Sequence, residues 1–283
     1  MTQEKPGDFY GFRHQEAKYQ LNKRVLDSDN PRGPVSPDEQ DFTSDLTEKG
    51  KREARAEAEQ FFSQFDSAKD AFFFVSSDFV RSVETGKIYL QIAEEMGFEI
   101  ITPDNPSDQT VEKVGDGKIR HLQNLSLKID DAVLDQLFNS KNDYLKLAQE
   151  RRIAFDEDFV GRWKRARSII EADNKGGWSE NWRYHSLAVK EILPEIQTAQ
   201  EMFDSQFKNL VRLMEFGRKK IEAAKHEKKI RVLAFTHENL FTHWLAEEWG
   251  ETGLKPGESV LFYYDPEKSL QANVRGKEGP VSV

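Results

Sequence analysis

The stretch Ala71-Phe72-Phe73-Phe74-Val75-Ser76-Ser77-Asp78-Phe79-Val80-Arg81-Ser82-Val83-Glu84-Thr85 changes character halfway along. Its first half is a near-continuous apolar run, which suits a strand covered on both faces. Its second half opens a helical pattern. The strand is read over Ala71 to Ser77 and the helix from about Val80 to Met96, where Val83, Ile88, Ile92 and Met96 recur at helical spacing and Gly97 supplies the stop. Arg81 stands in the first turn of that helix, where the free N–H groups and the dipole already favour anions. A cation there points to a negative ligand beside it, or to an ion pair with an acidic neighbour at the surface.

Outward from this stretch the same order returns. Apolar or β-branched runs mark strands at Asp8 to Arg13, Phe98 to Thr102, Lys229 to Thr236 and Ser259 to Tyr264. A helix from about Thr47 to Phe65 places Ala54, Ala58, Phe61, Phe62 and Phe65 near one face, and another from about Asn239 to Trp249 stops at Gly250. Strands alternating with helices imply an α/β fold, a three-layer sandwich with a mainly parallel central sheet flanked by helices. From about Leu122 to His226 the rhythm breaks. That interval holds long charge-rich helical stretches, including Asp130 to Arg151 and Ile192 to Lys225, and is read as a helical insertion or cap, at about 120–226, on a single domain spanning 1–283. Asn22 to Asp45, with Pro31, Gly33, Pro34 and Pro37, reads as a long loop after the first strand.

Composition narrows the chemistry. The 283 residues include no cysteine, which removes thiol catalysis, cysteine-ligated zinc and disulfides. The net charge of −9 argues against a broad nucleic-acid surface and makes any small cluster of Arg and His conspicuous. Met1 to Asp8 is polar, and no run approaches the ~18 apolar residues of a membrane span, so a cytoplasmic protein without membrane association is expected. Oligomeric state is not legible.

Phosphoryl transfer to a side chain needs a nucleophile, donors around the phosphate oxygens and an acid for the leaving oxygen. Three places where an expected strand ends carry such groups. Arg13-His14-Gln15-Glu16 offers an imidazole beside a forked guanidinium. Arg81 follows the second strand. Thr236-His237-Glu238-Asn239 puts a His at a helix N-terminus, where the dipole disfavours its charged form and leaves a neutral donor. Each taken singly is matched by a plain structural role: a solvated strand end, a surface ion pair, a histidine bonded to a carbonyl.

Together the blocks resemble the histidine phosphatase superfamily, also called phosphoglycerate mutase-like. Arg13-His14-Gln15-Glu16 keeps three of the four residues of its opening Arg-His-Gly-Glu. Leu46-Thr47-Glu48-Lys49-Gly50 matches its Leu-Thr-x-x-Gly helix start, Ser76-Ser77, Arg81 and Thr85 fall in register with its next block, and Val232 to His237 meets its late Thr-His block. The resemblance covers about Phe9 to Ile101 and Lys229 to Tyr264. It implies a cofactor-independent phosphomonoester hydrolase for a small phosphorylated substrate, in which His14 is phosphorylated and Arg13, Arg81 and His237 form the phosphate pocket. A phosphomutase of the same superfamily, or a catalytically silent phospho-ligand or partner-binding relative, is the alternative. Leu46, Thr47 and Gly50 take structural roles.

Two positions depart from the family pattern. Gln15 replaces the usual Gly, placing a bulky side chain where the backbone passes the substrate. Glu238 replaces the Gly common after the late His, but the acid phosphatase and phytase branch has an acidic proton donor near that His, so Glu238 is the candidate general acid, with Glu112 or Asp116 as alternatives. In an empty site Glu238 would instead cap its helix or pair with Arg13 or Arg81. Arg120-His121 reads as an exposed pair at the start of a helical stretch. Trp178, Trp182, Arg183, Tyr184 and His185 either line a substrate entrance or pack the insertion on the body. His243, six residues after His237, is not at ligand spacing, and no metal site is expected.

Overall fold

Apolar runs that lack polar alternation must be covered on both faces, and the computed structural model shows how this chain covers them. It describes residues 9–17, 46–77, 80–101, 111–114, 117–121, 157–172, 178–194 and 197–282. Within these the strands are β1 (Phe9–Arg13), β2 (Asp70–Ser76), β3 (Glu99–Ile100), β4 (Val111–Val114), β5 (Gly117–His121), β6 (Lys229–Thr236), β7 (Ser259–Tyr264), β8 (Leu270–Val274) and β9 (Lys277–Pro280). They form one sheet in the order β4-β5-β2-β6-β1-β7-β8-β9, with β3 beside β2. The centre is parallel: β6 pairs with both β1 and β2, and β2 with β3 and β5. Antiparallel pairs flank it on both sides, β4 on β5 and the meander β7–β9 on β1.

Period-two alternation splits the core between the two faces. Phe72 and Phe74 of β2, Leu233 and Phe235 of β6, and Phe12 of β1 point to one side. They pack there on α1 (Glu48–Phe62) and α2 (Val80–Glu95) through Ala58, Phe62, Tyr89 and Leu90. Phe9, Val75, Ala234 and Phe262 point to the other, against Phe241, Trp244 and Leu245 of α7 (Glu238–Trp249). Removing a fully buried ring such as Phe72 costs about 3–5 kcal/mol.

Helix α1 starts where its sequence says. Thr47 is its N-cap and accepts from the Gly50 N–H at 2.9 Å. A Cβ at Gly50 would collide with the Glu16 carbonyl, so the glycine lets the helix start abut the chain just past β1.

Between β5 and β6 the described elements are helical: α3 (Glu157–Glu171), α4 (Trp178–Ile192), α5 (Ala199–Met202) with a π-helical turn at Phe203–Phe207, and α6 (Lys208–Ala224). Trp182 is buried with Ala166, Ile170, Val189, Leu193, Ala199 and Met202. Of the aromatic and basic cluster, Trp182 therefore packs this helical layer, Arg183 pairs with Glu247 of α7 at 2.7 Å, and Tyr184 stays exposed. One helix ends at Ile192 and Thr198 caps the next at Ala199, so the helix expected from Ile192 to Lys225 starts later than expected. The expected helix Asp130 to Arg151 and the loop Asn22 to Asp45 lie outside the described residues.

One expectation is corrected. Arg120-His121 does not open a helical stretch but ends β5, whose Cα partners in β2 are Val75 for Arg120 and Ser76 for His121. The β4–β5 hairpin, with Gly117 opening its second strand, lies just before the expected insertion and has no counterpart among the expected strands. No described helix is long and apolar enough to cross a membrane.

Candidate active site

Strand order alone brings the candidate residues together. β1, β6 and β2 are parallel neighbours, so the residues that follow them emerge side by side at their C-terminal ends, where α/β sheets place ligands. The His14 N–H donates to Thr236 O at 2.9 Å and the Ser77 N–H to Phe235 O at 2.9 Å, which ties all three strand ends at the point where they break.

The His14 and His237 rings stand 5.2 Å apart, centroid to centroid, at 67°. Both are buried, as is Arg81, each with about 2 % of its surface exposed. His14 Nδ1 lies 2.7 Å from the Gln15 carbonyl oxygen, which can only accept, so Nδ1 carries the proton. Nε2 then has the lone pair, and it accepts from Arg81 Nε–H at 3.2 Å. His237 Nε2 meets the Ser77 hydroxyl at 3.1 Å.

Electrostatics keep both imidazoles neutral. Burial pushes the His14 pKa well below its ordinary value, Arg81 and then Arg13 lower it further, and the carbonyl of Gln15 opposes this. His237 is lowered by burial first, then by Arg81, His14 and Arg13. The charges acting on both rings are thus the two guanidiniums.

Arg13 reaches across this cluster. Its Nη1 pairs with Glu238 Oε2 at 2.7 Å and also donates to the Leu254 carbonyl. Glu238 is the first residue of α7, which follows His237 as N-cap, and its carboxylate holds Arg13. Of the two readings for the empty site, the ion pair is the one observed. Glu112 lies in β4, opposite Ile119 of β5 and so two strands from β2. Asp116 lies outside the described residues.

The Gln15 side chain does not stand over His14. It is 1 % exposed and donates to the Glu57 carboxylate of α1, while its backbone N–H donates to Thr85 Oγ1 at 3.2 Å. Thr85 in turn donates to the Arg81 carbonyl at 2.8 Å, so this hydroxyl links the nucleophile's turn to the Arg-bearing helix. Gly257 at φ +77° makes room: a Cβ there would run into both Glu57 and Gln15. Burial raises the Glu57 pKa, and the Gln15 amide opposes the rise.

The roles of Ser77, Thr85 and Glu57 were not legible in advance. Ser77 and Thr85 stood in a recognised block, but nothing in their spacing named a partner. Glu57 is one acid among several on a charged helix face. Among the described residues, no cluster of three or more His, Asp or Glu side chains could hold a metal ion.

No protein-family model matches the chain, and no curated protein matches it in sequence. Solved structures similar to it include a mutase, phosphatases and phytases. One is a phosphoglycerate mutase from Bacillus anthracis, 14 % identical, covering 99 % of this chain and 94 % of that one with a TM-score of 0.48. A second is an alpha-ribazole-5'-P phosphatase, described as putative, from Escherichia coli, 13 % identical over 98 % and 99 %, TM-score 0.41. A third is a Hafnia alvei phytase in complex with myo-inositol hexakis sulphate, 14 % identical over 95 % and 83 %, TM-score 0.42.

Proposed function

We propose that this chain is a phosphomonoester hydrolase of the histidine phosphatase kind, acting on a small phosphorylated substrate through a phosphohistidine at His14. The observation that carries the reading is the state of His14: a buried, neutral imidazole with its proton fixed on Nδ1 and its Nε2 lone pair facing a guanidinium. A structural histidine gains nothing from two cations beside it. A nucleophile for a dianion does, because the cations bind the phosphoryl oxygens and keep the imidazole unprotonated.

In the first step His14 Nε2 attacks phosphorus in line. The N–P bond forms as the P–O bond to the alcohol breaks, and the electron pair leaves on that oxygen. Arg81, Arg13 and neutral His237 donate to the three equatorial oxygens. Glu238 supplies the proton to the leaving oxygen. An arriving dianion competes with this carboxylate for Arg13, and a carboxyl displaced from its ion pair and facing a dianion binds a proton more readily. In the second step Glu238 takes a proton from water, whose oxygen attacks phosphorus, and the N–P electron pair returns to Nε2. The turn of Gln15 toward Glu57 supports an open approach to His14 and speaks for an enzyme rather than a silent binder.

The test is hydrolysis of para-nitrophenyl phosphate. Wild type is expected to turn over with a phosphorylated His14 trapped by acid quench, and His14→Ala is expected to lose turnover by at least a thousandfold (about 4 kcal/mol of barrier). Equal rates in the two proteins would refute the reading. Faster transfer to an added alcohol than to water would assign the mutase activity instead.

A further inference from the structure

The segment between α7 and β7 walls one side of the site, and a single side chain remote from the chemistry holds it. The Leu254 carbonyl accepts from Arg13 Nη1, and the Glu258 carbonyl accepts from the Arg13 backbone N–H at 3.0 Å. Gly253, just before Leu254, lies flat against Glu238: a Cβ there would collide with Oε1 and come within 3.0 Å of Cγ. Both ends of the Arg13–Glu238 pair thus lean on residues 253–258.

Arg275 grips that segment from outside. Its Nη2 donates to the Gly253 carbonyl at 2.9 Å and to Glu258 Oε2 at 2.6 Å, and its Nε to Glu258 Oε1 at 3.3 Å. Its Nη1 donates to Glu251 Oε2 at 3.1 Å and to both the carbonyl and the hydroxyl oxygen of Thr252 at 3.3 Å. One forked guanidinium therefore spans the segment from Glu251 to Glu258, a geometry an ammonium cannot reproduce.

The position of Arg275 is itself informative. It is the first residue of the two-residue turn between β8 and β9, followed by Gly276, and both have positive φ, +52° and +81°. Such a turn favours Asn-Gly or Asp-Gly. An Arg at left-handed φ is a poor choice for the turn, and the interactions of its guanidinium are the compensating feature.

We infer that Arg275 is a positioning residue for the Arg13–Glu238 pair, acting through Gly253, Leu254 and Glu258. The inference rests on the proposed role of that pair. Arg275→Asn is the decisive variant, because Asn suits the turn at least as well as Arg while removing the guanidinium. Its thermal midpoint is expected to stay close to that of wild type. Its kcat on an alkyl phosphate, which needs the acid, is expected to fall about tenfold. On para-nitrophenyl phosphate, whose leaving group needs no proton, the fall should be clearly smaller, and inorganic phosphate should inhibit less tightly. Glu238→Gln sets the scale of the leaving-group split, and Arg275→Lys is expected to recover only part of the loss.

Unchanged kcat, leaving-group ratio and phosphate inhibition in Arg275→Asn would overturn the inference while leaving the site reading intact. An equal loss on both substrates would also overturn it, assigning Arg275 a purely structural role. If wild type shows no turnover but binds phosphate, weaker phosphate binding by Arg275→Asn upholds the inference and unchanged binding overturns it. If wild type neither turns over nor binds phosphate, both readings fall.

Discussion

The two ends of strands β2 and β6 both bury charge, and they do opposite things with it. At the N-terminal ends Asp70 of β2 pairs with Arg231 of β6 at 2.8 Å, with about a tenth of each side chain exposed. The Asp66 N–H also donates to Asp70, and the guanidinium of Arg231 lies 4.5 Å over the Phe65 ring. At the C-terminal ends Arg81, Arg13, His14 and His237 gather, and the guanidiniums drive both imidazoles toward neutrality. At the one end opposite charges cancel and fasten the sheet. At the other Arg13 is paired with Glu238, yet both guanidiniums still act on the two imidazoles, a field that a ligand of negative charge can use.

The sharpest way to break this comparison is to remove one cation from each end. Arg81→Ala is expected to lower kcat/KM for a phosphate ester by a hundredfold or more while moving the thermal midpoint little, since its guanidinium lies against His14 Nε2, the atom proposed to take up the phosphoryl group. Near-normal turnover would make it a structural residue. Arg231→Ala should show the reverse: a loss of about 3 kcal/mol by denaturant titration, because Asp70 is left buried without its partner, and unchanged turnover per folded molecule. A large drop in kcat there would mean that the two ends are not separable.

The smallest effect sharpens the comparison through pH. In the unfolded chain the imidazoles titrate near ~6.5. In the folded chain burial, Arg81 and Arg13 hold His14 and His237 neutral to lower pH. Below about 6.5 the unfolded state therefore binds more protons, so the stability present above that pH declines as the pH falls. Thermal midpoints are expected to drop from pH 7 toward pH 5, and to drop less steeply in His237→Asn. Parallel curves for the two proteins would show that His237 is not held neutral.

The legible part of the fold is the part written in local periodicity. β6 and β7 match the expected strands residue for residue, and α1, α2 and α7 fall inside or within a residue of the expected helices. The β4–β5 and β8–β9 hairpins escaped because their strands are only four or five residues long, too short for a clear alternation. Val114-Gly115-Asp116-Gly117 and Arg275-Gly276 were the turn signals that could have marked them.

In the site, His14, Arg81 and His237 were readable because each follows a strand and sits where a helix or turn begins. The direction of Gln15 was not. A side chain after a strand can point either into the pocket or into the neighbouring layer, and the choice was made by Glu57 and Gly257, 42 and 242 positions away. The sequence by itself determined which residues stand at strand ends, because alternation, helical spacing and chain breaks are properties of neighbours in the chain. Only the tertiary structure decided that β1, β6 and β2 lie side by side, that Arg13 meets Glu238, and that Arg275 holds the wall they lean on. Those partners are set by strand order and side-chain direction, and a contact between residues far apart in the chain leaves no period in the sequence to read.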